Sequence, residues 1–392
     1  MGLITSFALV GVACSPGVEP IDPSQSTSGA DGSTSEELRW PRRLTRPKVV
    51  APATTITTAP TTVPQTTVPP TTAPKPTVPP AESNSPAPSS TYVAAGTRMG
   101  IGDCPIYPRN NVFHADVRNL SKHSDSERII AAMGSEPVRG LTSAVWQGSR
   151  SGYPVNIVDS RVDRARTFVK QGFLLQPESI GSFPMPANPR LEGDPTPAWD
   201  QHLLLFDKAT CQSHEMFLTR TPSLSFYGTW EADSAHTLDM TSNVMPNVAS
   251  TVSAISLLAG LVRYEEVASG SIDHVLTVDY PRSSNQAPVW PARRTDGKST
   301  DPNAPRMGTW LRLKGDVDLS KFGPTAKVVI RALQKHGAII KDTNHSGISI
   351  NGENDSRWDD KDMKTLNQLT ADDFEVVDPT PMMVSANSYE IR

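Results

Sequence analysis

Residues 200–207 read Asp-Gln-His-Leu-Leu-Leu-Phe-Asp, and this stretch decides the fold class of the 392-residue chain. In an extended strand, alternation places Leu204 and Phe206 on one face and Leu203 and Leu205 on the other. Because both faces are apolar, the sequence predicts a central strand that is buried on both sides.

Further short runs of aromatic and β-branched residues, bounded by Gly, Pro, Asn and Asp, occur from residue 92 onward and predict more strands. These runs are Val155–Val158, Thr167–Lys170, Glu215–Leu218, Ser223–Tyr227, Ile272–Val278, Trp310–Leu313, Ala338–Lys341, Ile348–Ile350 and Phe374–Val377. Their spacing is irregular and shows no blade-length repeat. We therefore expect a mainly β domain over residues 98–392, built as a β-sandwich or jelly roll.

A few peripheral helices are expected in this domain. Ser126–Met133 ends before Gly134, and Pro324–Lys335 carries apolar residues at helical spacing. Weaker patterns predict short helices at Val252–Leu258 and Lys361–Leu369.

The first 97 residues have a different composition. An apolar run ends at Cys14, which resembles the lipobox of bacterial lipoproteins and predicts a signal peptide over residues 1–14 with lipidation of Cys14. No basic residue precedes this run, so an upstream start, an atypical signal and a functionless apolar N-terminus are alternatives. Residues 15–97 are rich in Ser, Thr and Pro and too poor in apolar residues to form a core. They predict a disordered stalk, and with the signal they predict an extracellular protein that a lipid anchors at the cell surface.

Cys104 and Cys211 remain once Cys14 is assigned to lipidation. Two cysteines in an exported domain predict a disulfide, and two free buried thiols are the alternative. The chain has no Cys-x-x-Cys and no close His pair, so it shows no zinc motif.

Composition and missing motifs narrow the function. The net charge of −4 does not suggest a nucleic-acid partner. There is no Gly-x-Ser-x-Gly, His-Glu-x-x-His, P-loop or dinucleotide fingerprint, which disfavours esterase, metalloprotease and nucleotide-dependent activities. No cofactor is expected, although Asp-rich loops leave a structural Ca²⁺ site open.

Two clusters of acidic and His residues are candidates for acid–base catalysis. Asp200 and His202 stand at the start of the central strand, although a His there also caps a strand end. Glu231 and Asp233 are paired carboxylates beside Trp230, which is a candidate sugar platform. An ordinary surface loop or a Ca²⁺ site is the alternative for this second cluster.

Three further residues are candidates for substrate binding. Arg263 can clamp a carboxylate such as that of a uronic acid, or can pair with its own acidic neighbours. Trp290 and Arg293 lie in one predicted loop and suit sugar contacts, whereas a Trp packed beneath the loop is the alternative.

Several stretches occur together in the globular part: Cys-Pro-Ile-Tyr-Pro-x-Asn-Asn at 104–111, residues 200–207, Gly-Leu-Val-Arg-Tyr-Glu-Glu-Val at 260–267, Val-Trp-Pro-Ala-Arg at 289–293, Ser-Thr-Asp-Pro-Asn-Ala-Pro-Arg-Met-Gly at 299–308 and Ser-Arg-Trp-Asp-Asp at 356–360. In combination they resemble a largely uncharacterised family of secreted bacterial proteins and lipoproteins with a Thr/Pro-rich stalk and a β-rich C-terminal domain. The resemblance covers nearly all of residues 104–378 and implies export and the domain boundary, but no catalytic residue. Gln201 stands where the family pattern has Arg, and Val248–Thr251 replaces a Trp-Thr-Ser-Ala-Asp-like stretch. If those positions served chemistry, these departures imply an impaired or non-catalytic copy.

The residues together favour a cell-surface carbohydrate-active protein, a glycan hydrolase or a polysaccharide lyase that uses paired carboxylates and a His. Its expected partner is a polysaccharide or cell-wall glycan, with membrane contact only through the lipid anchor. A non-enzymatic glycan-binding module is the alternative.

Overall fold

The computed structural model describes residues 100–171 and 178–392. The predicted signal peptide, the lipidation of Cys14 and the stalk lie outside the described residues. Within the described part, no helix is long and apolar enough to cross a membrane.

Strands dominate the secondary structure. They are β1 (Gly100–Ile101), β2 (Cys104–Pro105), β3 (Val138–Arg139), β4 (Val145–Trp146), β5 (Ser149–Arg150), β6 (Val155–Val158), β7 (Ala165–Lys170), β8 (Ser179–Pro184), β9 (Gly193–Pro195), β10 (Leu203–Asp207), β11 (Gln212–Phe217), β12 (Trp230–Ala232), β13 (Ser234–Asp239), β14 (Leu276–Asp279), β15 (Trp310–Leu313), β16 (Ala338–Asp342), β17 (Ile348–Ile350) and β18 (Phe374–Val376). The α-helices are α1 (Ser126–Met133), α2 (Tyr264–Ser269), α3 (Pro324–Lys335) and α4 (Asp360–Met363), and short 3₁₀ turns cover Val112–His114, Leu319–Lys321, Lys364–Gln368, Ala371–Asp373 and Thr380–Met382. The predicted mainly β fold with a few helices is confirmed.

The larger core surrounds a six-stranded mixed sheet with the order β18-β15-β16-β14-β17-β3. Strands β14 and β16 pair in parallel at its centre, and α3 packs on it with Ala326, Val329 and Leu333 buried. This sheet supplies the floor of the cleft described below.

A second core lies between the four-stranded sheet β13-β11-β10-β6 and the three-stranded sheet β12-β7-β8. Strand β10 contacts both cores: Leu203 and Leu205 belong to the smaller core, and Leu204 and Phe206 to the larger one. Every residue of β10 is buried, so the prediction of a central strand with two apolar faces is confirmed.

Two predicted elements are wrong. Ser223–Tyr227 forms turns, because the Ser225 hydroxyl bonds Glu231 and the Tyr227 N–H and so replaces strand pairing. Val252–Leu258 is irregular as well. The Thr251 hydroxyl donates to the Ile255 carbonyl, which a helix would use for its own ladder.

The predicted disulfide between Cys104 and Cys211 is present, with Cα atoms 5.3 Å apart. It joins β2 to the turn between β10 and β11. Such a bond fits an oxidising, extracellular environment.

Candidate functional site

A cleft of about 230 Å³ opens between the six-stranded sheet and the turn that follows β9. Three carboxylates line it, those of Glu192, Asp279 and Glu353, together with Tyr153 and Trp199. The exposed Arg139 and the buried Asn351 also line it. A concave site in which acids and aromatics converge is the usual arrangement for binding or catalysis.

Asp279 ends strand β14 at the floor of the cleft. Its carboxylate accepts hydrogen bonds from Lys341 Nζ at 3.3 Å and from Asn351 Nδ2 at 2.8 Å. The Lys341 side chain is completely buried, so the two groups neutralise each other beneath the cleft. These contacts fix the orientation of the Asp279 side chain.

Glu353 follows β17 on the same wall. Its Oε2 accepts a hydrogen bond from the Tyr264 N–H at 3.1 Å. Burial raises the pKa of the Glu353 carboxyl above its usual value, and this hydrogen bond only partly opposes the shift. Glu353 is therefore the carboxyl in the cleft that burial favours in its protonated form.

The Tyr153 ring stands over Lys341, with Nζ 5.3 Å from the ring centroid. Burial raises the pKa of the Tyr153 hydroxyl well above its usual value. The charges of Asp279, Glu192 and Asp342 add to this effect. The hydroxyl stays protonated and can donate a hydrogen bond within the acidic cleft.

Glu192 is held by His202. His202 Nε2 donates to the Ser250 carbonyl at 3.2 Å, while Nδ1 lies 2.9 Å from Glu192 Oε2. Burial lowers the pKa of His202, but the hydrogen bond and charge of Glu192 outweigh this and leave the pKa raised. With one ring nitrogen donating to a carbonyl, the imidazolium form is the one that also donates to Glu192.

The half-buried Asp342 is the register partner of Asp279 across β14 and β16. Burial raises the pKa of Asp342 to about 6; Lys341 opposes this and the charge of Asp279 adds to it. The carboxylate accepts from the Thr343 and Val252 N–H groups and so also anchors the irregular segment after Thr251.

The predicted catalytic residues do not line this cleft together. His202 is buried behind Glu192, and exposed Asp200 is near enough for its charge to raise the pKa of Tyr153. Glu231 is buried and accepts from the Ser225 hydroxyl at 2.6 Å, whereas Asp233 is exposed. None of these four residues lines the cleft.

The predicted substrate-binding residues are also dispersed. Trp230 is half-buried, packs on Phe168 at the edge of the smaller core with ring centroids 5.5 Å apart, and does not line the cleft. It lies beside Phe168 because β12 pairs with β7 at these two residues. Arg263 is buried, donates to Glu266 and to the Gly100 carbonyl, and does not line the cleft.

Trp290 and Arg293 stand together in the same loop, away from the cleft lining. Trp290 Nε1 donates to the Ser388 carbonyl at 2.9 Å and lines a separate cavity of about 350 Å³. Arg293 donates to the side chain of Asn387 at 2.8 Å. Both residues therefore hold their loop against the C-terminal segment, as in the alternative in which the Trp packs beneath the loop.

The residues that do line the cleft carried a weak signal in the sequence. Asp279 directly follows the predicted strand Ile272–Val278, and Glu353 follows Ile348–Ile350 within Asn351-Gly352-Glu353. An acidic residue directly after a buried strand lies at the end of a sheet, where ligand-binding and catalytic sites often form. Trp199 precedes Asp200 directly, but Glu192 had no pattern that distinguished it from a surface acid.

Within residues 100–171 and 178–392, no group of three or more His, Cys, Asp or Glu side chains is arranged to hold a metal ion. Comparisons with protein-family models, curated proteins and solved structures gave no match. The cleft must therefore be interpreted from its own chemistry.

Proposed function

We propose that this chain is a cell-surface glycoside hydrolase whose reaction takes place in the cleft between Asp279 and Glu353. The observation that carries the proposal is that two carboxyl groups with different surroundings line one cleft. Burial raises the pKa of Glu353, and Asp279 is paired with the buried Lys341. Two carboxyls whose environments separate their protonation states are the requirement for glycosidic cleavage.

The roles follow from these environments. Glu353 gives its proton to the glycosidic oxygen as the bond to the anomeric carbon breaks. Asp279 either accepts the proton of the attacking water or forms the glycosyl intermediate that water then hydrolyses. Tyr153 donates a hydrogen bond, and Trp199 stacks on a sugar ring at the mouth of the cleft.

Hydrolysis is favoured over elimination. A lyase acts on uronic acids, whose carboxylate needs positive charge beside it in the transition state. The cleft instead presents Glu192, Asp279 and Glu353 against the exposed Arg139, with Lys341 already paired to Asp279. This balance suits an uncharged glycan.

Export and anchoring form part of the proposal. The Cys104–Cys211 disulfide and the absence of a spanning helix in the described residues are compatible with an extracellular protein. The lipobox-like Cys14, the Thr/Pro-rich segment and the resemblance to secreted bacterial lipoproteins support attachment of the chain to the membrane by lipid.

The test is hydrolysis of a panel of uncharged polysaccharides and aryl glycosides by the full chain. We expect Glu353→Gln and Asp279→Asn each to lower kcat/KM on polysaccharide by about 100-fold or more. Glu353→Gln should lose much less activity on aryl glycosides, whose leaving group needs no proton. The exposed Asp233→Asn is the matched control and should behave as wild type.

Thermal melts of each variant separate loss of fold from loss of chemistry. Full activity of a folded Glu353→Gln variant on polysaccharide would remove Glu353 as the acid. Activity lost with Asp233→Asn and kept with Asp279→Asn would move the reaction out of this cleft.

A non-enzymatic glycan-binding module is the second candidate, favoured by the exposed indole of Trp199 at the cleft. It predicts retention on a polysaccharide with no product from any member of the panel.

A further inference from the structure

Two of the six described tryptophans are exposed, and both belong to one small unit of structure beside the cleft. Trp146 is 69% exposed on the β4–β5 hairpin, and Trp199 is 51% exposed in the turn after β9. Isolated exposed apolar residues are common, but two exposed indoles in one small structural unit, one of which lines a polar cleft, indicate a recognition surface.

The hairpin and the turn are fixed to each other. Strand β5 pairs with both β4 and β9, and the Ser149 hydroxyl donates to the Thr196 carbonyl at 2.7 Å. The hairpin tip rests on Thr196 as well, since a Cβ on Gly148 would lie 3.1 Å from its hydroxyl. The backbone of the hairpin and the turn therefore loses little conformational entropy when a ligand binds.

Both indoles stand at turns whose backbone has left-handed φ angles. Gln147 and Gly148 have φ angles of 53° and 90°, the left-handed pair that a two-residue hairpin turn requires next to Trp146. Trp199 itself has φ 53°, an uncommon value for a bulky residue. The turn is nevertheless held by the Ala198 and Gln201 N–H groups, which donate to Glu192 and Ala198 carbonyls.

The two indoles are close enough for one ligand. Gly148 contacts Thr196, and the chain advances at most about 3.5 Å per residue, so the Cα atoms of Trp146 and Trp199 lie within about 25 Å. A short run of sugar units spans even the longest separation that this limit allows. Trp199 lines the cleft and Trp146 lies outside it, so a ligand that contacts both indoles extends beyond the cleft.

We infer that Trp146 and Trp199 form a binding platform for an uncharged polysaccharide chain, which extends from the cleft across the β4–β5 hairpin. This inference rests on the proposed function and narrows it to polymeric substrates. Each indole stacks on one face of a sugar ring. The acids of the cleft disfavour a polyanionic chain.

The experiment is affinity electrophoresis of the full chain through gels that contain a β-glucan, a mannan or a xylan, with polygalacturonate as the polyanionic comparison. We expect at least one uncharged polymer to retard the wild type, and Trp146→Ala to weaken that affinity about tenfold. Phe226→Ala is the control, because Phe226 is 78% exposed and does not line the cleft. It should migrate as wild type does.

The outcomes separate the platform from the chemistry. Equal retardation of wild type and Trp146→Ala overturns the platform, and so does preferential binding of polygalacturonate. If no polymer retards the wild type but aryl glycosides are hydrolysed in an Asp279-dependent way, the platform fails and the proposed function stands. Retardation that depends on Trp146, with no hydrolysis, supports the platform and removes the catalytic role.

Discussion

Glu215 is completely buried, and its carboxylate accepts hydrogen bonds from neutral groups. The hydroxyls of Ser213, Ser250 and Ser256 donate to it, as do the N–H groups of Leu257 and Leu258. This one side chain therefore fixes the irregular segment that follows β13 against β11.

Replacing Glu215 by Gln tests that role. An amide puts an N–H₂ group where an oxygen accepts, so at least one buried donor loses its partner. We expect Glu215→Gln to lower the free energy of unfolding by about 2–3 kcal/mol. Urea unfolding measures it, and the exposed Glu127→Gln is the control. A Glu215→Gln variant as stable as the control would contradict this account.

His336 makes stability depend on pH. It is buried at the end of α3, where Nδ1 donates to the Ala115 carbonyl at 2.6 Å. Burial lowers the pKa of His336 from 6.5 to about 4, assisted by the nearby positive charge of Lys335. Since the unfolded chain takes up the proton at higher pH than the folded one, this contribution is complete above pH 6.5 and is lost as the pH falls towards 4.

Asn at position 336 can keep the hydrogen bond to Ala115 while removing the titration. Between pH 7 and pH 4.5, we expect the wild type to lose about 2 kcal/mol more unfolding free energy than His336→Asn. Paired urea titrations at the two pH values measure this difference. Identical losses in the two proteins would assign the acid sensitivity to other groups.

At this scale, residue type and spacing predicted the disulfide but not the cleft. Glu231 had the expected acidic neighbours, yet burial and its bond to Ser225 engage it within the fold. Glu192 is held at the cleft by His202, which follows it by ten positions and comes to lie beside it because the chain turns between them. The spacing of these two residues in the sequence does not predict that contact.

Among the elements, those fixed by local signals were predicted with their observed bounds. Helix α1 before Gly134 and helix α3 before His336 are examples, as is strand β15. Trp230–Ala232 and Ser234–Asp239 were not predicted as strands, because polar residues on one face hide the alternation until a neighbouring strand pairs with them.

Gly152 lets two elements approach each other at the cleft wall. Its φ is 97°, and an added Cβ would lie 2.7 Å from the Gly352 carbonyl oxygen. We expect Gly152→Ala to lower the unfolding free energy by about 2–3 kcal/mol and to widen the cleft. Thermal melts and the glycan assays above measure the two effects.

Gly315→Ala is the matched control, because a Cβ there meets no atom within 4 Å. Its unfolding free energy should change by less than about 0.5 kcal/mol. If the two alanine variants melt alike, the close approach at Gly152 does not limit stability.

For the whole molecule, the sequence predicted a mainly β fold but not the way its sheets are joined. Strand β10 pairs in parallel with β6 and β14 with β16, across long connections whose partners no local pattern identifies. The cleft depends on those pairings, since Tyr153, Asp279 and Glu353 come from distant segments. The residues of such a site can be identified as neighbours only once the strand pairing is known.

The Cys104–Cys211 bond spans 107 positions and ties the start of the described residues to the layer around β10. A cross-link of that length restricts the unfolded chain strongly, and the chain-entropy account gives about 4–5 kcal/mol. We expect the paired substitution Cys104→Ser with Cys211→Ser to lower the unfolding free energy by that amount. Denaturant titration of the oxidised wild type and the variant measures it.

Reductant provides the internal control. It should lower the melting temperature of the wild type to that of the paired Ser variant and leave the variant unchanged. Because the bond acts through the unfolded state, the proposed hydrolysis should survive its loss at moderate temperature, while resistance to heat should not. If reduction left the wild-type melting temperature unchanged, the disulfide would contribute nothing to stability. A loss of activity at temperatures where the reduced protein is still folded would instead place the bond in the support of the cleft.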